Sequence, residues 1–166
     1  AGLVHPQQGR APAAQLDRWA PVVVGLLFFV LYALTAAPSI VEFFDDTLEF
    51  QFVLPTFGIA HPTGYPLYTM LGGLWSNALP LGTWAGRANL FSALAGAVAV
   101  GLLARLTLRL AKDAGLRHGW AGALLAALLF GLGPVWWSQS TVAEVYALHL
   151  ALLLATLNVA GGVRTT

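Results

Sequence analysis

Residues 88–104, ANLFSALAGAVAVGLLA, form an apolar run that contains no charged side chain. Small side chains recur in it at every fourth position, at Ala93, Ala97 and Gly101. In a helix this spacing places them on one face, where a neighbouring helix can approach closely. Close approach matters in a membrane because lipid gives helices no hydrophobic reason to associate. The run therefore predicts a tightly packed membrane-spanning helix.

Three further apolar runs have the length of membrane spans, since about 20 apolar residues cross the hydrocarbon. They cover about residues 20–37, 119–135 and 145–163. Small residues recur at every fourth position of the last two runs, at Gly119, Ala123, Ala127, Gly131, Ala147, Ala151 and Ala155. We expect an all-α membrane protein with four transmembrane helices over residues 19–166, preceded by a flexible cytoplasmic segment over residues 1–18. A cleaved signal peptide is the competing interpretation of the first run.

The composition indicates the same class of protein. Of the 166 residues, 58% are hydrophobic and 9% are charged, and the mean hydropathy is +0.74. Soluble domains carry about 25% charged residues. The net charge of +1 and the scattered Lys and Arg give no basis for a nucleic-acid partner. The absence of Cys excludes disulfides, thiol catalysis and thiolate metal sites.

The basic residues predict the orientation in the membrane. With four crossings, one side collects Arg10, Arg18, Arg105, Arg109, Lys112, Arg117 and Arg164. The positive-inside rule makes that side cytoplasmic. The loop over residues 38–87 then faces the extracytoplasmic side of a multi-pass cell-membrane protein, and we expect a bacterial inner membrane.

Residues 65–82 of that loop, YPLYTMLGGLWSNALPLG, are apolar but short. A crossing at this point would destroy the asymmetry of the basic residues. We therefore expect an interfacial or re-entrant helix on the outer face.

An acidic segment, EFFDDTLEF at residues 42–50, opens the same loop. Glu42, Asp45, Asp46 and Glu49 stand at i, i+3, i+4 and i+7, so a helix would project all four carboxylates from one stripe. Such a stripe could bind a divalent cation or hold one carboxylate as a general base. A solvated acidic rim is the alternative. His61 follows in a turn-rich segment, where it could bond a phosphate, shuttle a proton or simply be solvated.

Four motifs of this chain, in the same order, resemble the DUF2723-type family of bacterial membrane proteins, which includes the eukaryotic transmembrane protein 260 group of protein O-mannosyltransferases. They are DTLEF at residues 46–50, GIAHPTGYPLY at 58–68, RANLFSA at 87–93, and WSQ at 137–139 followed by AEVYAL at 143–148. Leu48 stands where the family pattern has Gly, and Thr63 stands where it has Pro.

The resemblance implies the N-terminal module of a GT-C-type glycosyltransferase. Such enzymes transfer a sugar from a polyprenyl-phosphate carrier, on the extracytoplasmic side, to a hydroxyl of an acceptor protein or glycan. The resemblance implies Asp46 as the catalytic base and Glu49 as a second catalytic residue that orients the acceptor or shares a cation, Mg or Mn, with Asp46. The resemblance implies His61 and Arg87 as substrate-binding candidates for the carrier phosphate, and Glu144 as a residue that binds metal or holds the acceptor. Tyr65 and Tyr68 could stack on the sugar ring. The alternatives are an interfacial anchor for Arg87 and a residue at the start of a helix, favoured by the helix dipole, for Glu144.

Two hypotheses of other classes stay open at this point. The chain could be a non-catalytic membrane module that binds lipid or a partner, as a fragment or subunit of a larger glycosyltransferase or as part of an oligomer. An ion-conducting protein is disfavoured because the acidic residues lie in a loop and none lies in the middle of a predicted span.

Overall fold

The structure is a computed structural model that describes residues 10–163, with side chains from residue 17 to residue 161. Within this range all regular elements are helices: α1 (Arg10–Thr35), α2 (Thr47–Thr56), α3 (Pro66–Ala78), α4 (Trp84–Asp113), α5 (Gly119–Gly131), α6 (Pro134–Thr141) and α7 (Val145–Val163). The predicted flexible segment lies outside the described residues at positions 1–9, and its positions 10–18 belong to α1. Arg164 also lies outside the described part.

Two of the described helices are long and apolar enough to cross a membrane. They are Asp17–Thr35 within α1, and α4. The pair α5 and α6 would be a third span if its two bent halves are counted as one, and α7 has a shorter apolar stretch, Val145–Gly161. The chain is therefore an all-α membrane protein with two or three candidate spans, and the expected four transmembrane helices are not confirmed.

The predicted span at residues 119–135 is interrupted. The axis turns by 68° between α5 and α6. Pro134 is the first residue of α6 and has no N–H to donate to a preceding turn, while Gly133 before it takes an extended conformation with φ −61° and ψ 130°. The apolar run therefore forms two short helices instead of the straight span that its composition predicts.

Helix α4 lies at the centre of the bundle and packs against all six other helices. The small residues that predicted close packing are buried on it, with Ala93 0% and Ala97 2% exposed. Gly101 meets α1, where its backbone lies beside Gly25 and Pro21. The prediction of close helix contacts through small side chains is confirmed, since Ala127 and Ala147 are also fully buried.

Contacts at the helix ends show how the bundle is arranged. Lys112 at the end of α4 forms an ion pair with Asp17 in α1, with Nζ to Oδ2 at 2.6 Å. Arg109 Nη1 donates to the carbonyl of Asn158 in α7 at 3.0 Å. We call this the basic end. Helix α1 thus runs antiparallel to α4, whereas α7 runs parallel to it.

The opposite end, which we call the acidic end, carries α2 and α3. There Ala37 N donates to the carbonyl of Thr141 at 3.1 Å, which joins the end of α1 to the end of α6. Helix α3 packs against α2 and α4, with its Gly72 and Gly73 next to Leu54 and Phe57. A short helix was predicted within residues 65–82, and α3 is that helix.

The crossing of α1 and α4 gives a test of the packing. A Cβ added at Gly101 would lie 2.9 Å from the backbone oxygen of Pro21 and 3.3 Å from Cα of Gly25. Gly101→Ala should therefore push α1 away from α4 and lower the thermal unfolding midpoint in detergent micelles. Gly122→Ala is the matched control, because no atom lies within 4 Å of a Cβ there. Gly122→Ala should leave the unfolding midpoint unchanged or raise it, since Ala is more favourable in a helix than Gly by about 1 kcal/mol. Equal effects of the two variants would contradict the close crossing.

Candidate functional site

Asp46, Glu49 and His61 come together at the acidic end. Asp46 is the N-cap residue of α2 and Glu49 lies in its first turn, where the helix dipole favours a negative charge. Helix α2 ends at Thr56, and its C-cap residue Phe57 adopts a left-handed conformation with φ 50°. Gly58 N then donates to the carbonyl of Val53 at 2.9 Å and closes the helix end. The chain reverses there and carries His61 back to the first turn of α2.

His61 is held by Glu49 through two contacts. The His61 backbone N–H donates to Glu49 Oε1 at 2.7 Å, and His61 Nδ1 makes a short hydrogen bond with Glu49 Oε2. The other ring nitrogen, Nε2, lies 3.7 Å from Asp46 Oδ2 and 3.5 Å from the Tyr65 hydroxyl. About a third of each of the Asp46, Glu49 and His61 side chains is exposed. The three groups therefore form a half-open cluster with Nε2 directed at Asp46.

The hydrogen bond between Glu49 and His61 sets the charges of both groups. It lowers the pKa of Glu49 below its ordinary value. It is also the main cause that raises the pKa of His61, and the nearby negative charge of Asp46 acts in the same direction. The pair is present while Glu49 is ionised and His61 is protonated, and it is lost as the pH rises through the raised pKa of His61. The hydrogen bond therefore favours an ionised Glu49 and a protonated His61 beside Asp46.

The prediction that four carboxylates project from one stripe of a helix is wrong. Helix α2 begins only at Thr47, so Glu42 and Asp45 lie outside it. Both side chains are exposed, and neither belongs to the described cluster. The break arises because Thr47 Oγ1 accepts a hydrogen bond from Phe44 N at 3.1 Å, which forms a turn immediately before the helix.

Glu144 is the one buried acidic residue that the described side chains include, with 1% of its surface exposed. It precedes α7 and lies outside the candidate spans. Its Oε1 accepts a hydrogen bond from Thr47 Oγ1 at 2.8 Å. Burial raises its pKa to about 6, with a further upward contribution from Asp46. The structure thus brings Glu144 to the residue that follows Asp46.

The two predicted sugar-stacking tyrosines lie in different surroundings. Tyr65 is half-buried, and its ring stands edge-on to His61 and to Phe50. Tyr68 is only 2% exposed and is packed against Phe50 and Phe91, with its hydroxyl 3.0 Å from Ser92 Oγ. Tyr65 therefore borders the cluster, whereas Tyr68 supports it from inside the core.

Arg87 lies apart from the cluster. Its guanidinium donates to three backbone carbonyls, those of Ser76, Leu81 and Gly82, at 3.2, 2.9 and 3.3 Å. It also stacks over the Trp84 ring, with Cζ 4.7 Å from the ring centroid. These contacts hold the end of α3 to the start of α4.

Sequence reasoning missed the buried polar residues that hold the site together. Asn89 is fully buried, and its Oδ1 accepts from Gln51 Nε2 at 3.2 Å and from Ala143 N at 2.9 Å. Its Nδ2 donates to the carbonyls of Ala37 at 2.8 Å and Ser39 at 3.3 Å. Asn89 thereby links the end of α1, α2, α4 and the α6–α7 connection. A polar side chain inside an apolar helical run was the signal that could have identified it.

A divalent cation could be held by Asp46, Glu49 and His61, whose candidate ligand atoms all lie within 4.8 Å of one another. Glu49 already bonds Nδ1 of His61, so Nε2 is the ring nitrogen that faces Asp46. In many metal sites a carboxylate orients the ligating histidine in the same way. A metal ligand must be a neutral imidazole, however, and Glu49 raises the pKa of His61. A cation and the proton on His61 would therefore compete.

Comparison with known proteins gives two kinds of match. The family described as "Protein O-mannosyl-transferase TMEM260 N-terminal domain" matches residues 46–162. "Protein O-mannosyl-transferase TMEM260" of Mus musculus is 35% identical in an alignment of 156 residues that covers 89% of this chain and 21% of the mouse protein. "Protein O-mannosyl-transferase tmem260" of Dictyostelium discoideum is 32% identical in an alignment of 122 residues that covers 72% of this chain and 14% of that protein. No solved structure matches. This chain thus spans about a fifth or less of the length of these relatives.

The Asn89 network gives the first prediction for the site. Asn89→Ala leaves the Ala143 N–H and the carbonyl of Ala37 without their buried partner. The free energy of unfolding should fall by on the order of 3 kcal/mol, because each buried unsatisfied group costs about 1–3 kcal/mol. Denaturing-detergent titration measures it. Asn77→Ala is the control, since that exposed amide donates to Pro55 and Gly73 and should cost less than about 1 kcal/mol. Similar losses in both variants would contradict the linking role.

The hydrogen-bonded pair of Glu49 and His61 gives the second prediction for the site. Glu49→Gln should lower the titration midpoint of His61, because it removes the carboxylate that is the main cause of its raised pKa. NMR of the imidazole in detergent micelles follows the midpoint. Glu42→Gln, which changes an exposed carboxylate of the same segment, should leave it in place. An unchanged midpoint in Glu49→Gln would show that the pair does not form in solution.

Proposed function

This chain belongs to the family of the TMEM260 N-terminal domain, and from that membership we propose that it is the N-terminal module of a GT-C-type membrane glycosyltransferase. The family predicted from the four motifs is confirmed. The proposed reaction transfers a sugar from a polyprenyl-phosphate-linked donor to a hydroxyl of an acceptor protein or glycan. The observation that carries the proposal is the cluster in which Asp46 stands at the start of α2 beside the Glu49–His61 pair.

Asp46 is the proposed general base. The acceptor hydroxyl oxygen forms a bond to the anomeric carbon, the bond from that carbon to the phosphate oxygen breaks, and the hydroxyl proton passes to Asp46. Glu49 and His61 support this role because they fill the space on one side of Asp46 and leave its carboxylate about one-third exposed. Positioned proton transfer of this kind contributes about 10²–10⁴-fold to a rate.

The donor would be held by both its charge and its hydrocarbon chain. The raised pKa of His61 favours the imidazolium, which can donate to a phosphate. Arg87 uses three of its five N–H donors on backbone carbonyls and keeps the others for an anion. An apolar groove lined by Ile40, Leu48, Phe52 and Trp84 runs alongside α2 and suits a polyprenyl chain. Leu48, which replaces the family's Gly, is part of this lining.

The proposed active face is the extracytoplasmic one. Lys112 and Arg109 lie at the basic end, at the far end of α4 from the cluster. If the positive-inside rule places the basic end in the cytoplasm, the acidic end with Asp46 faces the other compartment. The membrane would be the bacterial inner membrane expected from the sequence, or an internal membrane of a eukaryote. The second alternative is added because the two relatives described above are eukaryotic.

A non-catalytic module is the second candidate. The apolar groove alongside α2 favours it, because such a groove can bind the lipid carrier whether or not the reaction is completed. Binding of a polyprenyl phosphate in nanodiscs without sugar transfer would identify this case.

Substitution of the proposed base tests the catalytic proposal. Asp46→Asn should reduce sugar transfer in a membrane assay by about 10²-fold or more, since an amide cannot take up the proton. Asp45→Asn is the matched control, because this neighbouring carboxylate is exposed and outside the cluster, and it should keep the rate. Donor binding, measured separately, should survive in both variants. Full transfer by Asp46→Asn would remove Asp46 from the chemistry.

A further inference from the structure

Glu144 is fixed to the bundle through its own backbone. Its N–H donates to Ser92 Oγ at 3.0 Å, and its carbonyl accepts from the same hydroxyl at 3.1 Å. Because the Ser92 hydrogen is used on the carbonyl, the Tyr68 hydroxyl at 3.0 Å must be the donor in its contact with Ser92 Oγ. The neighbouring Ala143 N–H is bound by Asn89. The backbone on both sides of Glu144 is therefore held to α4.

The carboxyl group of Glu144 reaches the first residue of α2. Thr47 is fully buried, accepts from Phe44 N and donates to Glu144 Oε1 at 2.8 Å. Thr47 directly follows Asp46, so this hydrogen bond holds the backbone that carries the proposed base. The contact joins positions 97 residues apart in the sequence and spans the gap between the α6–α7 connection and α2.

The charge of Glu144 is not neutralised by a cation. The groups that face it are the Thr47 hydroxyl from α2, the Tyr68 hydroxyl from α3, Ser92 from α4 and the Asp46 carboxylate. Among the described side chains, no Lys, Arg or His forms an ion pair with it. Burial favours the neutral acid, the hydrogen bond from Thr47 favours the ion, and the negative charge of Asp46 disfavours the ion. Burial is the largest of these contributions, and it raises the pKa of Glu144 to about 6.

We propose that Glu144 is a positioning residue for Asp46, because it holds the start of α2 through Thr47. This inference rests on the proposed role of Asp46 as the base. Its physical reason is that the Thr47 hydroxyl binds the ionised carboxylate of Glu144 more strongly than the neutral acid, so the backbone that carries Asp46 is held most firmly when Glu144 is charged. This is the coupling between the charge of Glu144 and the position of Asp46.

Infrared difference spectroscopy of the protein in lipid nanodiscs tests the coupling without any sugar transfer. The C=O stretch of a protonated carboxyl group should disappear as the pH rises through about 6, and Glu144→Gln, which keeps the acceptor oxygen for Thr47, should abolish this signal. Asp46→Asn should move the midpoint down because it removes the repelling charge. Thr47→Val should move it up because it removes the hydrogen bond to the ion. Asp45→Asn should leave it in place.

Opposite shifts in Asp46→Asn and Thr47→Val support the proposal. A signal that does not titrate near this pH, or a midpoint that neither variant moves, overturns it even if the protein transfers sugar. Where transfer is measured, the rate of the wild type should fall as the pH drops below about 6, and Glu144→Gln should lose this limb of the kcat/KM profile. If the kcat/KM of Glu144→Gln falls at low pH as it does in the wild type, the proposal is overturned. If the protein transfers no sugar but shows the expected infrared shifts, only the proposed function is refuted.

Discussion

The buried amide of Asn89 is the interaction on which the acidic end depends. A polar group inside an apolar helix is costly unless all of its hydrogen bonds are made. Asn89 meets this condition with four partners, which lie in three different parts of the chain. The segment after α1, the helix α2 and the connection before α7 are therefore all joined to α4 through this one side chain. The candidate site is built on that arrangement.

The apolar pattern predicted the helices better than it predicted the spans. The run at residues 88–104 lies within α4, and its small residues pack against neighbours as the spacing indicated. The run at residues 119–135 is just as apolar but is divided, because Gly133 and Pro134 outweigh hydropathy at one point of the backbone. Hydropathy is calculated from the side chains alone, whereas the path of a helix also depends on its backbone hydrogen bonds. Pro134 lacks the N–H that such a bond requires.

The residues of the candidate cluster could be predicted because they lie close together in the sequence. The buried polar residues around the cluster were missed because their partners lie in distant segments. Asp46, Glu49 and His61 lie within 16 positions of one another and carry recognisable motifs, so the sequence could nominate them. Whether they meet depends on the reversal at Phe57, which no spacing rule contains. Asn89, Ser92 and Thr47 have partners up to 97 positions away, and only the fold shows why these polar side chains are there.

The commitment of Arg87 to three carbonyls has a consequence for the electrostatic potential of the site. With its guanidinium turned toward the end of α3, the cluster itself combines the carboxylates of Asp46 and Glu49 with a single imidazolium. Its summed charge is negative whenever both acids are ionised. A negative potential of this kind concentrates cations at the acidic end and repels anions from it, and salt weakens both effects.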